Sequence, residues 1–349
     1  MMHKKIFQCK PLLVAFSAFL LMMAIFSAFL LSVPKSYAAS SSKGVAATRG
    51  AGVSGVSVFV EPAAGEQPIL SAINNAKSSI YVEMYLLTDR NIISALENAA
   101  KSGLDVRVML EPHPYGGSSP AGTLRALSNA GAQAEDSSPA FRYTHEKGMI
   151  IDGATAYIMT CNFTKSALGG SSSTKNREYG IIDSNAADVK EALDIFNADW
   201  KRSSYTPTDN NIVLSPVNSR SDFIALINSA QKSLQIEAEE MNDSSVEQAI
   251  VKAESHGVTV QVILPNGSSD TAGISTLDSG GVSVSEDTQY YMHAKIIVAD
   301  GQEAFVGSEN ISTTSFDKNR ELGILISDAS VIATLQTTFK SDLSHSKTV

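Results

Sequence analysis

The chain has 349 residues, 43% apolar and 18% charged, with 27 basic against 36 acidic side chains and a formal charge of −9. That balance excludes a disordered chain and leaves room for two domains of ordinary size. It also excludes the global attraction to nucleic acid or anionic membranes that an excess of lysine and arginine provides.

At the start, Lys4, Lys5 and Lys10 stand among the first ten residues without an acid, and Leu12 to Val33 is almost wholly apolar. Ser36-Tyr37-Ala38 follows, with small residues at its first and third positions. This order predicts a signal peptide over residues 1–38 and a secreted or periplasmic body. The apolar run is about 22 residues long, enough to span a bilayer, so an uncleaved N-terminal transmembrane anchor is the alternative. Without residues 1–38 there remain 23 basic and 36 acidic residues, a formal charge of −13. Residues 39–55, rich in Ser, Gly and Ala, read as a flexible lead-in. Of the two cysteines, Cys9 falls in the presumed signal, which leaves Cys161 without a disulfide partner.

From Val58 onward the chain is written twice. A shift of 154 places Pro62 on Pro216, Glu83 on Glu237, Asp89 on Asp243 and Gly103 on Gly257. Later the shift shrinks, matching His145 with His293 and Glu178 with Glu321, as loop deletions in the second copy would do. In each copy "SIYVEMYLL" or "SLQIEAEEM" predicts a strand. "RNIISALENAAKSG" or "SVEQAIVKAESHG" predicts a helix stopped by glycine, and "LDVRVMLEP" or "VTVQVILPN" the next strand. Strand, helix, strand implies a parallel crossover. The expected architecture is two similar α/β lobes, residues 56–205 and 206–349, joined near Trp200–Asn211.

Late in each copy comes one constellation. "YTHEKGMIIDGATAYIMTCN" spans Tyr143–Asn162, and "YMHAKIIVADGQEAFVGSEN" spans Tyr291–Asn310. Asp-Gly between two apolar runs predicts a two-residue hairpin turn. With that turn, His293 falls opposite Ser308 and His145 opposite Thr160. Alternation then gathers His293, Lys295, Ser308 and Asn310 on one face, and His145, Lys147, Thr160 and Asn162 on the other copy's face. Asp152 lies five residues past Lys147, roughly 16 Å along a strand, so Asp152 and Asp300 are expected to act at the turn, as positioning residues.

These residues resemble the phospholipase D superfamily, whose signature HxKxxxxDxxxxxxGSxN is met in full by the second copy. The first copy departs at Met159-Thr160, where Gly-Ser is expected; the hydroxyl stays, and the missing glycine is expected to tighten the approach to phosphate. The resemblance covers nearly all of residues 56–343. It implies mixed-sheet sandwich lobes sharing one active site at their interface, in a monomer that needs no metal or cofactor. One of His145 and His293 would attack phosphorus, the other serving as general acid and base. Lys147, Lys295, Asn162 and Asn310 would hold the non-bridging oxygens, with Thr160 and Ser308 as further substrate contacts. Glu178 and Glu321, each ending an "NRE", would orient a histidine. The expected activity is a secreted phospholipase D-type phosphodiesterase that hydrolyses or exchanges phospholipid head groups, in transient contact with a membrane surface. The alternatives are a metal-independent nuclease, a cardiolipin synthase-like transferase and a binding protein with a dead site.

Outside the motifs, His113 reads as an exposed loop histidine, with ligand contact as the alternative. His256 suits a helix C-terminus. Glu239 and Glu240, where the first copy has Tyr85 and Leu86, read as solvated, with the mouth of the site as the alternative. Tyr290 and Tyr291 either flank the pocket or pack in the core.

Overall fold

A computed structural model describes residues 50–349; the expected signal and most of the lead-in lie outside the described residues. The first half forms strands β1 (Ser57–Glu61), β2 (Ser79–Met84), β3 (Asp105–Leu110), β4 (Gln133–Asp136), β5 (Lys147–Ile151), β6 (Thr155–Met159) and β7 (Asn176–Asp183). They lie side by side in the order β1-β7-β6-β5-β2-β3-β4. The second half repeats that order with Ile212–Ser215, Glu321–Ile326, Glu303–Gly307, Lys295–Ala299, Ser233–Ala238, Thr259–Pro265 and Ser283–Asp287. Each half is therefore a mixed sheet, parallel where helices cross over and antiparallel through the motif hairpin.

The helices form where spacing and caps predict them. Asp89 accepts from the amides of Asn91 and Ile92, opening Arg90–Lys101, whose Ile92, Ala95, Leu96 and Ala99 are buried. Asp243 caps Ser244–Ser255 in the same way, through Val246. Both helices stop before a glycine with positive φ, Gly103 and Gly257, a conformation that costs glycine little.

Each half has its own apolar core, and a further core joins them. Ile158, Tyr179 and Ile181 from the first half pack there with Ile296, Val298, Val306 and Leu322 from the second. The sheets also exchange edges. Tyr291–Met292 runs parallel to Asn176–Arg177 on β7, and Thr144 bridges Arg320. Two buried ion pairs fasten the exchange: Arg177 on Asp342 of the last helix, and Arg320 on Asp199 of helix Ala186–Trp200. Arg177 and Arg320 are the middle residues of the two "NRE" triplets.

The hairpins differ from expectation by one residue. Gln302 N donates to Ala299 O, closing the Asp300-Gly301 turn, yet the ladder resumes with Ala299 opposite Glu303. Ala154 is likewise an extra residue, since Ile151 faces Thr155. An additional residue in one strand is a bulge, and it turns the following side chains to the other face. His293 is therefore not opposite Ser308, nor His145 opposite Thr160.

Candidate active site

Asp152 and Asp300 hold the hairpins at their far ends. Both have positive φ. The Asp152 carboxylate accepts from the amides of Lys77, Ser78 and Ser79, and Asp300 from those of Gln231, Lys232 and Ser233. Some burial works against ionisation at Asp152, but the amide bonds prevail and hold it down to about 2. These aspartates pin the hairpin to the start of the neighbouring strand, away from the histidines.

At the other end, both histidines line one cavity of about 590 Å³, together with Asn162, Asn310, Tyr85, Arg142, Tyr143 and Glu239. The exchange of edges decides their partners. His145 N donates to Arg320 O, which brings the first half's histidine beside the second half's Glu321. His145 Nδ1 lies 2.9 Å from Glu321, and His293 Nδ1 lies 2.8 Å from Glu178 of the first half. A carboxylate only accepts, so the proton sits on Nδ1 and Nε2 is left for the cavity.

Each acid is itself held. Glu178 accepts from Thr160 Oγ1 at 2.7 Å and Asn176 Nδ2 at 3.0 Å. Glu321 accepts from Ser315 Oγ at 2.8 Å and Asn319 Nδ2 at 3.0 Å. Asn176 and Asn319 open the two "NRE" triplets, a repeated signal that could have found them in the sequence; Ser315 gave none. Thr160 and Ser308 are fully buried and do not line the cavity. Thr160 braces Glu178, and Ser308 Oγ accepts from Leu322 N.

The departure at Met159 also has a different meaning from the one expected. Met159 is fully buried in the first half's core. At the matching Gly307, a Cβ would come 2.4 Å from the Gly323 Cα and 2.7 Å from the Phe305 ring. That glycine lets two strands approach over an aromatic ring; access to the cavity does not depend on it.

Lys147 and Lys295 are buried, and each ammonium donates to the carbonyl of the histidine two residues before it. Burial pulls Lys147 down to about 8; Glu321 counters this and Lys295 adds to it. Burial likewise lowers His145, against the pull of Glu321 and with help from Lys147 and Lys295. The edge of His145 meets the Tyr85 ring at 4.6 Å between centroids.

Glu239 is not solvated. Its Oε2 accepts from Lys295 Nζ at 2.7 Å and Asn310 Nδ2 at 3.3 Å, and stands 3.4 Å from His293 Nε2. Tyr291 is 43% exposed and reaches Glu239 Oε1 with its hydroxyl, while Tyr290 lies under the Arg177 guanidinium. Glu240 lines the cavity. His113 is exposed, and His256 Nδ1 lies 2.7 Å from the carbonyl of Lys252 at its helix end. A buried acidic cluster, Glu83, Glu146 and Asp199, lies beside Arg320 rather than in this cavity.

The family described as "Cardiolipin synthase, PLD-like domain" matches residues 69–200 and 223–343, one stretch in each half. The chain belongs to the phospholipase D superfamily. Among curated relatives, the major cardiolipin synthase ClsA of Bacillus subtilis (strain 168) is 28% identical over 79% of this chain and 66% of its own length. Further relatives named cardiolipin synthase, from Clostridium perfringens and Staphylococcus aureus, are 24% identical. The chain spans about two thirds of the length of these relatives. Two solved structures share the fold. Polyphosphate kinase from Porphyromonas gingivalis has a TM-score of 0.68 at 14% identity, covering 84% of this chain and 48% of that one. Phosphatidylserine synthase from Haemophilus influenzae Rd KW20 has 0.63 at 15%, covering 84% and 87%.

These relatives correct two expectations. They are named as synthases, so the transferase alternative fits them and the lipid-degrading phosphodiesterase does not. The freely secreted location is corrected with it, since these relatives are named for making a membrane lipid. No helix among the described residues is long and apolar enough to cross a membrane, and the apolar run Leu12–Val33 lies outside them.

Proposed function

We propose that this protein transfers a phosphatidyl group from one phospholipid to the hydroxyl of another, as a cardiolipin synthase does. The observation that carries the reading is two histidines on one cavity, each with Nδ1 held by a carboxylate from the opposite half. The names of the relatives favour transfer over hydrolysis. The apolar run Leu12–Val33 holds the chain at the membrane that supplies both lipids.

In this reading His145 attacks phosphorus. Burial keeps its imidazole neutral, and its Nε2 is free of any acid, whereas His293 Nε2 faces Glu239. Attack forms the phosphorus–Nε2 bond, and the donor's oxygen leaves with a proton from His293. His293 then takes the proton of the acceptor hydroxyl, whose oxygen displaces His145. Lys147, Lys295, Asn162 and Asn310 stabilise the charge that builds on the non-bridging oxygens. Glu178 and Glu321 fix the tautomers and stabilise the imidazolium form.

The test is to incubate the full chain with phosphatidylglycerol vesicles and identify products by mass spectrometry. Cardiolipin and glycerol are expected, with a phosphatidyl group trapped on His145 after an acid-free quench. Phosphatidic acid as the sole product, or a label confined to His293, would overturn the reading.

A further inference from the structure

The second half's phosphate seat already holds an anion. Glu239 follows strand Ser233–Ala238 at the position where the first half carries Tyr85. Its Oε2 takes Lys295 Nζ at 2.7 Å and Asn310 Nδ2 at 3.3 Å, and lies 3.4 Å from His293 Nε2. Those are the donors a phosphate oxygen would use. Tyr291 holds the other oxygen in place at 3.2 Å. Burial acts to raise this carboxyl, but the charges of His293 and Lys295 and the Lys295 hydrogen bond prevail and keep it ionised. On the first half's side no carboxylate among the described residues intrudes in this way: the Lys147 ammonium faces the ring of Tyr85, 5.2 Å from its centroid.

We infer that Glu239 is a specificity-determining residue, a resident anion that a phosphodiester must displace and that turns away doubly charged phosphate. The inference rests on the proposed function only in taking the seat to be one for phosphate. An incoming phosphate meets His145, Lys147 and Asn162 first. It gains Lys295, Asn310 and His293 only as Glu239 swings out. A diester carries one negative charge and brings two substituents whose contacts in the cavity supply the displacement energy. Inorganic phosphate or a monoester brings up to two charges and few contacts, so repulsion by Glu239 weighs more against it. The same carboxylate thus keeps the site from filling with the free phosphate and monoesters that surround any membrane.

The experiment is calorimetric titration of the full chain with inorganic phosphate at pH 8, and separately with dimethyl phosphate. Glu239→Gln should bind inorganic phosphate about tenfold more tightly than the natural protein, the scale of one charge-assisted contact. Dimethyl phosphate should gain less. Tyr291→Phe, which leaves the carboxylate but frees one oxygen, should shift phosphate affinity in the same direction by a smaller factor. Unchanged, weaker or undetectable phosphate binding in Glu239→Gln, or an equal gain for both anions, would overturn the inference. A shift in phosphate affinity without cardiolipin formation would leave Glu239 in its role and sink only the lipid substrate. Cardiolipin formation with unchanged phosphate affinity would sink Glu239 alone.

Discussion

Lys147 shows what burial does to a cation proposed to face phosphate. Its ammonium is fully enclosed, and burial brings it down to about 8. The free protein therefore loses this charge as pH rises through that value. The dependence of kcat/KM on pH reports groups of the free enzyme. An alkaline limb near pH 8 is expected in the transfer reaction, and Lys147→Arg, whose guanidinium does not titrate there, should remove that limb at a lower overall rate. A limb at the same pH in the arginine variant would assign it to another group. At this scale the sequence reading named both histidines, lysines, asparagines and NRE acids, because the motif repeats. It missed the position of Glu239, because no repeat marks a residue present in only one copy.

The motif hairpin is the element on which the site is built, and its tip is tethered rather than free. Asp152→Asn keeps a side chain that tolerates positive φ and removes only the charge that gathers three amides. It should cost about 1.5–3 kcal/mol in denaturant unfolding, the range for hydrogen bonds to a charged group. Asp152 is depressed in the folded state, so its contribution is present above pH 3.8 and lost as pH falls through about 2. The variant should accordingly match the natural protein in that acid range; a deficit persisting there would mean a packing fault instead. Strands, crossover helices and glycine stops were legible in the sequence because spacing and caps are local. The extra residue in each hairpin was not. It goes with an aspartate binding amides some 70 positions away, a contact that no local pattern announces.

Among the described residues, buried acids outnumber the groups that oppose them. Burial raises Glu61 to about 7, and Glu146 and Asp188 to about 8, and pushes Glu83, Glu237 and Glu309 the same way. A carboxyl raised on folding contributes stability that is complete below its unfolded value and lost as pH climbs through the folded one. His145 and Lys147, lowered on folding, work in the opposite direction, but they are outnumbered by the raised acids. The thermal midpoint should fall between pH 5 and pH 8, and Glu146→Gln should flatten part of that slope. A midpoint that rises steadily over this interval would refute the assignment. The exchanged edges carry a further consequence. Because each imidazole is steered by the other half's acid, any hinge motion that parted the halves would break both pairs at once. The phospholipid proposed as substrate would then enter through the open mouth of the cavity, with the halves staying clasped.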